Sequence, residues 1–393
     1  MPKPYADELA LAVRIIHSAS LLTKSVLRSL KNTIEAETKA DDSPVTIADF
    51  AAQALIIGAL HAVYPSDKFV GEESAAQLRQ NDVLAERVWQ LVQQAQAAAS
   101  QTTDMQHVHG HEGSTASPGQ EEQERGHVAL TFPSSKTAML DTIDLGTNAE
   151  LREGRVWVLD PVDGTATFMQ GKQYAVCLCL VVDSIQQVGV IGCPNLQYAY
   201  DAASTPATRG IVHEDIVDPS GYGIMLTAVR GQGTHIRSMQ ASSLGDPRPI
   251  VHSRSPQDPS TLNFVESALG STSLVQAEHR AVAESFGTEW PGTVVWSQQL
   301  KYVSVALGAA DVMLRIPKDR ERYTNVWDHA GGHLLVTEAG GIVRDFDGGE
   351  IDFGAGRKIT GERNWGMVVA TTWCFDAVEK AVKLVLDKRS GSA

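Results

Sequence analysis

Three acidic clusters that lie far apart in the chain constrain its fold more than any other feature of the sequence. They are Gly-Glu-Glu-Ser at 71–74, Asp-Pro-Val-Asp-Gly-Thr at 160–165 and Trp-Asp-His-Ala-Gly-Gly at 327–332. Each cluster lies where an apolar run ends in a turn or where a helix is predicted to begin. Carboxylates are ligands that Mg²⁺ prefers, and Mg²⁺ commonly bridges them to substrate phosphates. The sequence therefore predicts a fold that gathers the three clusters into a hard-cation site facing a phosphate.

The cluster at 160–165 carries the strongest signal. Asp160 and Asp163 lie at the end of a predicted strand and can point at one spot, which the Val162 carbonyl can also face. Gly164 and Thr165 are predicted to begin a helical turn, whose free N–H groups favour a phosphate oxygen. The alternative interpretation is an ordinary turn, because Asp, Pro and Gly are common turn formers.

The other acidic candidates each have a purely structural alternative. Glu72 and Glu73 repel one another, and a nearby cation would relieve that repulsion, but the pair also fits a solvated loop. Asp328 is predicted in the first turn of a helix, where the helix dipole stabilises a carboxylate without any function. Asp49 and Thr46 resemble a capping box. A carboxylate at that position can also orient a threonine hydroxyl or a metal-bound water, so both interpretations of Asp49 stay open.

Two cationic residues interrupt apolar surroundings in the second half of the chain. They are Lys301, in Gln-Gln-Leu-Lys-Tyr, and Arg315, in Leu-Arg-Ile-Pro. Such a residue is most often part of an ion pair at the edge of a core. In a phosphatase it could instead hold a second phosphate that does not react.

Length and charge limit the possible architectures and partners. The 393 residues are 43% hydrophobic, which predicts a large core in two domains or one two-lobed unit. We place the boundary between the lobes at residue 193, which gives segments 1–193 and 194–393. The formal net charge of −14 disfavours nucleic-acid binding. An anionic substrate would therefore need local cations.

The sequence also predicts an intracellular protein. No apolar run reaches the roughly 18 residues that span a bilayer, and the first residues lack the apolar core of a signal peptide. Cys177 and Cys179 lie in an apolar run and are predicted to be buried thiols of a reducing compartment. We expect a cytoplasmic location without a membrane partner.

Hydrophobic periodicity predicts alternating helices and strands. Helices are predicted at 7–29, 47–63, 298–307 and 327–338. Strands are predicted at 68–70, 156–159, 174–182, 188–192, 227–229, 294–296 and 312–315. Residues 93–136 lack sustained periodicity and are interpreted as a long mobile loop. Three histidines in it, at 107, 109 and 111, are a weak metal signal, and a solvated loop is the alternative interpretation.

Together with the acidic clusters, further segments carry a resemblance to a known family. The chain resembles the Mg²⁺-dependent, lithium-sensitive inositol monophosphatase superfamily, and within it is most similar to the 3′(2′),5′-bisphosphate nucleotidases of fungi and plants. The similarity covers nearly the whole chain apart from residues 93–136. The segments that carry it are 19–24, 42–46, 70–74, 160–165, 175–178, 191–196, 228–231, 309–315, 327–328, 338–342 and 351–354.

The resemblance implies an α/β fold, a layered sandwich of helices and sheets in two lobes with the active site between them. It implies two or three Mg²⁺ ions. The ligands that it assigns are Glu72, Asp160, the Val162 carbonyl, Asp163 and Asp328. Asp49 and Thr165 would orient or activate the attacking water. The substrate would be contacted by Gly164, Thr165, Lys301, Arg315 and His279.

The implied activity is removal of the 3′-phosphate from adenosine 3′,5′-bisphosphate, giving AMP, and also from 3′-phosphoadenosine 5′-phosphosulfate. The chain departs from the family pattern at Ala166 and Thr167, where Lys-Gly is usual, and at Gln298. An altered histidine-rich stretch leaves His279 as the candidate counterpart of a family histidine. Two alternatives therefore stay open: a phosphatase for inositol phosphates or another small ester, and a catalytically weak nucleotide-binding regulatory homologue.

Overall fold

The computed structural model describes residues 3–29, 36–38, 44–108, 129–199, 211–252, 257–267 and 273–391. The helices are α1 (Ala6–Ser29), α2 (Ile47–Val63), α3 (Ala76–Gln80), α4 (Asp82–Val108), α5 (Lys136–Asp144), α6 (Thr165–Phe168), α7 (Gln276–Glu284), α8 (Gln298–Ala306), α9 (Ala330–Glu338) and α10 (Phe375–Gly391). Short 3₁₀ turns cover Pro259–Thr261 and Val326–Asp328.

The described residues also form sixteen strands. They are β1 (Ala36–Thr38), β2 (Pro44–Thr46), β3 (Lys68–Gly71), β4 (Arg155–Asp163), β5 (Ala175–Val182), β6 (Ile185–Cys193), β7 (Ile224–Val229), β8 (Thr234–Ser238), β9 (Arg248–Ile250), β10 (Phe264–Glu266), β11 (Thr293–Val294), β12 (Val312–Arg315), β13 (Tyr323–Asn325), β14 (Ile342–Arg344), β15 (Lys358–Thr360) and β16 (Met367–Ala370). The predicted α/β class is confirmed.

The larger sheet has seven strands in the order β3 to β9. Only β3 and β4 are parallel neighbours; the other pairs are antiparallel. Successive side chains of a strand face opposite sides of a sheet. Trp157 and Leu178 accordingly pack in one core with α1 and α2, whereas Val158 and Cys177 pack in a second core with α8 and α9. The sheet is therefore buried on both faces, which explains its nearly continuous apolar strands.

The smaller sheet has five strands in the order β11-β10-β12-β16-β14. Val265 and Met313 join the second core, while Phe264 and Leu314 join a third core with α7 and α10. The layers therefore run helices, sheet, helices, sheet, helices. The middle helices α8 and α9 are shared by both sheets, so segments from both halves of the chain meet there.

The predicted boundary at residue 193 falls inside the larger sheet. Strands β7, β8 and β9 follow that residue in the chain and continue the sheet beyond β6. Cys193 is itself paired with Ile224 across the β6–β7 ladder. By sheet membership, the division lies after β9, because the turn at Pro194 and Asn195 does not end the sheet.

The predicted mobile loop at 93–136 is wrong in its first part. Helix α4 continues to Val108, with Val92 buried and Ala95 and Ala99 packed against the core. Alanine and glutamine are good helix formers, so a Gln/Ala-rich composition does not by itself indicate a loop. At the other end, Lys136 begins α5 and pairs with Asp82 at 2.7 Å. Residues 109–128, and the side chains of the three histidines, lie outside the described residues.

Helix α1 is long and apolar enough to cross a membrane by length and composition alone. The helix is not a continuous apolar run, because Arg14 and Lys24 interrupt it. In addition, 67% of its most apolar window is buried in the fold, and its apolar side chains belong to the core beneath the larger sheet. A core helix meets the same criterion, so α1 is a core element here. The four cysteines are free and buried, as predicted for Cys177 and Cys179.

A buried glutamine in α2 fixes the backbone that follows β3. The Gln53 amide donates to the carbonyl of Glu73 at 2.7 Å and to that of Ile143 at 3.1 Å, and it accepts from the N–H of Glu73 at 3.0 Å. A Cβ on Gly71 would lie 2.5 Å from the Gln53 side-chain oxygen. Gly71 is therefore required for this close approach, and Glu72 is held between two constrained residues.

We expect Gln53→Met to lower the free energy of unfolding by about 2–4 kcal/mol, because each buried backbone group that loses its partner costs roughly 1–3 kcal/mol. Urea denaturation in the presence of a chelator measures the change. The control is Gln90→Met at an exposed position of α4. Equal losses in the two variants would show that the Gln53 bonds do not anchor this loop.

Candidate active site

Asp160 and Asp163 lie at the end of β4. The register between β4 and β5 shifts between them, which marks a bulge. A bulge re-aims the side chains that flank it. The N–H of Val162 donates to Asp160 Oδ1 at 3.1 Å, and both aspartates are buried, at 2% and 7% exposure. The end of the strand therefore carries two buried carboxylates.

Asp328 reaches the same place from the second half of the chain. One carboxylate oxygen from each of Asp160, Asp163 and Asp328 lies within 4.8 Å of the other two. The sequence predicts that Asp328 lies in the first turn of an α-helix, but α9 begins only at Ala330. Asp328 ends the 3₁₀ turn Val326–Asp328, and His329, with φ −129°, separates that turn from α9. Asp328 therefore lies directly before the N-cap of α9 and outside its first turn.

Burial and mutual repulsion raise the pKa values of these carboxyl groups. Burial raises the pKa of Asp160 well above its usual range, and the charges of Glu72, Asp163, Asp328 and Asp49 raise it further. The pKa of Asp328 is raised to about 7 by burial, then by the Asp163 and Glu72 charges. Glu72 and Asp49 thus act on the same spot as the three aspartates. Because the clustered donors are carboxylate oxygens, the arrangement fits a hard divalent cation such as Mg²⁺.

Asp163 is also held by the N-terminus of α8. The Ser297 hydroxyl and the N–H of Gln299 each donate to Asp163 Oδ2 at 2.5 Å, and the N–H of Gln298 donates to Oδ1 at 3.2 Å. Burial raises the pKa of Asp163 to about 6, with these bonds and the Lys301 charge opposing the rise. The helix therefore fixes both oxygens of the carboxylate and favours its charged form.

The turn after Asp163 brings Thr165 to Asp49. The Thr165 hydroxyl lies 3.4 Å from Asp49 Oδ1 and 3.1 Å from the Val162 carbonyl, either of which can accept from it. Gly164 has φ +93°, a left-handed conformation that favours glycine. Asp49 is fully buried in the first turn of α2. The orienting role predicted for Asp49 is therefore geometrically available. The capping alternative depends on the side chain of Thr46, which the structure does not describe.

Hydrogen-bonded side chains connect Asp328 to the core. The Tyr302 hydroxyl lies 2.8 Å from His329 Nδ1, His329 Nε2 lies 2.8 Å from the Thr324 hydroxyl, and Thr324 donates to Asp328 Oδ2 at 3.4 Å. Because a carboxylate only accepts, the hydroxyl of Thr324 can in turn accept from His329 Nε2–H, and Nδ1 then accepts from Tyr302. Burial lowers the pKa of His329 well below its usual range, which keeps the ring neutral.

The predicted substrate cations lie in different surroundings. Lys301 is buried, its ammonium donates to the Ser267 hydroxyl at 2.7 Å, and the charge of Asp163 acts on it. Arg315 is acted on by the charge of Asp328, and it lines a cavity together with Arg322 and Tyr323. Burial lowers the pKa of Lys301 and of Arg315. Each cation is therefore influenced by the charge of one aspartate of the cluster.

His279 lies on α7, and both of its ring nitrogens have partners within the protein. Its ring is fully buried, Nδ1 pairs with Glu266, and Nε2 accepts from the N–H of Ile316 at 2.9 Å. Both ring nitrogens therefore serve the packing of α7 against the smaller sheet. In this structure His279 is a structural residue, and the substrate contact predicted for it has no free ring nitrogen to make it.

Sequence reasoning missed three residues that touch this site. Ser297 could have been found as a helix N-cap, since its hydroxyl also accepts from the N–H of Leu300 at 3.1 Å. Arg322 lines the cavity of Arg315 but lies in a charged loop with no pattern of its own. Arg357 contacts the backbone before Glu72, and no local signal in the sequence indicates it.

Known proteins resemble this chain in both sequence and fold. The model of the "Inositol monophosphatase family" matches residues 6–376. A protein of Emericella nidulans named 3′(2′),5′-bisphosphate nucleotidase is 36% identical over 97% of this chain and 99% of its own length. One of Schizosaccharomyces pombe with the same name is 36% identical over 97% and 96%. An IMPase structure from Thermotoga maritima superposes with a TM-score of 0.55 at 17% identity, covering 97% and 99% of the two chains.

Removing one charge from the cluster should stabilise the metal-free protein. A carboxyl group with a raised pKa binds more protons folded than unfolded between about pH 4 and its folded pKa, so its contribution to stability falls as pH rises through that window. In chelator at pH 8, we expect Asp328→Asn to raise the free energy of unfolding by about 1–3 kcal/mol, since each pKa unit corresponds to about 1.4 kcal/mol and relaxation absorbs part of it.

That difference should shrink as the pH is lowered from 8 to 5, because wild-type Asp328 then takes up a proton. Chemical denaturation at several pH values measures it. Asp376→Asn, at an exposed position of α10, is the control and should leave the pH profile unchanged. A variant that is less stable than wild type at pH 8 would contradict the repulsion inferred for this cluster.

Proposed function

The chain belongs to the inositol monophosphatase family, and we propose that it is a Mg²⁺-dependent phosphomonoesterase that removes the 3′-phosphate of adenosine 3′,5′-bisphosphate. We extend the proposal to 3′-phosphoadenosine 5′-phosphosulfate. The observation that carries it is the convergence of Asp160, Asp163 and Asp328 from distant segments. The full-length similarity to proteins named 3′(2′),5′-bisphosphate nucleotidase supports the choice of substrate.

The residues that would hold two or three Mg²⁺ ions are Glu72, Asp160, the Val162 carbonyl, Asp163 and Asp328. When bound, Mg²⁺ supplies Lewis-acid stabilisation of the charge that develops on a phosphate ester during hydrolysis. The chain itself supplies the fixed carboxylate geometry. Asp163 is held by the N-terminus of α8 and Asp328 by the Thr324 hydroxyl, so little reorganisation is needed when substrate binds.

Asp49 and Thr165 are proposed to orient the attacking water. The Thr165 hydroxyl has one hydrogen, which it can give to Asp49 or to the Val162 carbonyl. In either case its oxygen lone pairs remain to accept a hydrogen bond from water. Asp49 cannot turn towards solvent, because it is fully buried. The pair can therefore hold a water in one orientation at the turn that follows Asp163.

The second phosphate of the substrate requires cations, because the chain carries a formal net charge of −14. We assign Lys301 and Arg315 to it, as the sequence predicts, and add Arg322, which lines the same cavity as Arg315. A guanidinium group can donate two parallel hydrogen bonds to a phosphate. Gly164 and Thr165 would contact the reacting phosphate instead.

Two alternatives make different predictions. A phosphatase for inositol phosphates or another small ester would not need the cavity of Arg315 and Arg322. A catalytically weak regulatory homologue would not need the predicted carboxylates, yet all of them are present in the chain. We also propose a cytoplasmic location, which the four free buried thiols support.

A turnover screen tests the proposed activity directly. Wild-type protein should release phosphate fastest from adenosine 3′,5′-bisphosphate when compared with inositol 1-phosphate and sugar phosphates. Activity should require Mg²⁺ and be inhibited by Li⁺, and Asp163→Asn should nearly abolish it while the protein stays folded. Full activity in excess chelator would contradict the metal assignment, and a preference for inositol 1-phosphate would favour the first alternative.

Substrate choice should depend on Arg315. We expect Arg315→Met to lower kcat/KM for the bisphosphate by about ten- to a hundred-fold, because hydrogen bonds to charged groups contribute about 1.5–3 kcal/mol. The loss for inositol 1-phosphate should be much smaller. Arg320→Met is the control, since Arg320 forms an exposed pair with Asp347. Equal losses for the two substrates would mean that Arg315 serves the fold or the reacting phosphate.

A further inference from the structure

Arg357 extends its guanidinium group to the backbone next to Glu72. Its Nη2 donates to the Gly71 carbonyl at 2.7 Å, and its Nη1 donates to the Gly146 carbonyl at 2.9 Å. The Gly146 carbonyl also accepts from the N–H of Gly71 at 2.8 Å. This one side chain therefore links the end of β3, which immediately precedes Glu72, to the segment that follows α5.

The same guanidinium covers the residue that precedes Asp328. Its central carbon lies 4.6 Å from the centre of the Trp327 ring. The carbonyl of Arg357 also accepts from the N–H of Val326 at 2.9 Å. The adjoining strands β13 and β15 are antiparallel partners, and Asn325 pairs with Lys358. Arg357 and the 3₁₀ turn that ends at Asp328 therefore form one unit.

Arg357 is suited to this position by shape as well as charge. Its planar fork can donate to two carbonyls in different directions while its face lies on an aromatic ring, which the ammonium of lysine cannot reproduce. Burial lowers its pKa, while the charges of Glu72 and Glu73 oppose that shift. The carboxylates therefore favour the charged guanidinium beside them, and the guanidinium offsets part of their repulsion.

We propose that Arg357 is a positioning residue that sets the separation between the Glu72 and Asp328 segments and thereby the affinity of the site for Mg²⁺; this rests on the proposed function. Arg357 touches the residue before each of these two carboxylates, and the two segments come from opposite halves of the chain. Loss of the contact frees both segments at once. The effect should fall on metal affinity rather than on the binding of substrate by Lys301 and Arg315.

The test compares Arg357→Met and Arg357→Lys with wild type. Isothermal titration calorimetry with Mg²⁺ alone, on the substrate-free protein, measures affinity without turnover. We expect the dissociation constant to rise about 10- to 100-fold in Arg357→Met, the range found when residues that orient metal ligands are removed. Arg357→Lys keeps the charge but loses the fork, and should show a smaller rise.

Kinetic measurements distinguish a positioning role from a purely structural one, because a purely structural role would not change the dependence of activity on Mg²⁺. The Mg²⁺ concentration for half-maximal activity should rise in parallel with the dissociation constant. At saturating Mg²⁺, kcat and the KM for the bisphosphate should return close to wild-type values. The matched control is Arg320→Met, because Arg320 also lies over a tryptophan, 5.2 Å from the Trp365 ring, but away from the acidic cluster. Its Mg²⁺ affinity should stay unchanged.

The outcomes separate this inference from the proposed function. Unchanged Mg²⁺ affinity in Arg357→Lys and Arg357→Met, with lower thermal stability only, would overturn the positioning role. If Arg357→Met does not fold, wild-type affinity in Arg357→Lys would overturn it equally. If wild type binds Mg²⁺, both variants bind it more weakly and the bisphosphate is not hydrolysed, the positioning role holds and the proposed substrate fails.

Discussion

Repulsion among buried carboxylates is the constraint on which the rest of the site depends. One carboxylate oxygen from each of Asp160, Asp163 and Asp328 lies within 4.8 Å of the other two, and burial raises the pKa of each group. A fold gains nothing in stability from such a cluster. The protein keeps it in place through the surrounding core and through hydrogen bonds that fix individual carboxylate oxygens. A divalent cation is the simplest way to remove the remaining repulsion.

Each carboxylate has a support of a different kind. Asp163 is fixed by the N-terminus of α8, Asp160 accepts a backbone N–H of its own bulge, and Asp328 accepts from a threonine that is linked to a buried histidine. These supports come from three places in the fold: the start of α8, the end of β4, and β13. The middle helical layer therefore does more than fill space between two sheets. The N-terminus of α8 fixes both carboxylate oxygens of Asp163.

Charge distribution separates the two proposed phosphate positions. The reacting phosphate would meet a site rich in carboxylates and therefore dependent on metal ions. The second phosphate would meet Arg315 and Arg322 in a cavity of their own, with Lys301 nearby on the side of Asp163. A chain with a strongly negative net charge can bind an anionic substrate only through such local cations. Under the proposed function, Lys301, Arg315 and Arg322 would supply those cations.

The fold class and the candidate acidic residues could be predicted from the sequence alone. Adjacent acidic residues, the tight Asp-Pro-Val-Asp-Gly-Thr turn and the buried apolar strands are local patterns, and local patterns survive without knowledge of the tertiary structure. The contacts that hold the acidic residues in place became visible only in the tertiary structure. It turned residues 93–108 into helix, moved Asp328 out of the helix start, occupied both nitrogens of His279, and brought Ser297 and Arg357 to the acidic cluster. These outcomes depend on contacts between segments that are distant in the chain, and such contacts leave no periodicity or spacing in the sequence.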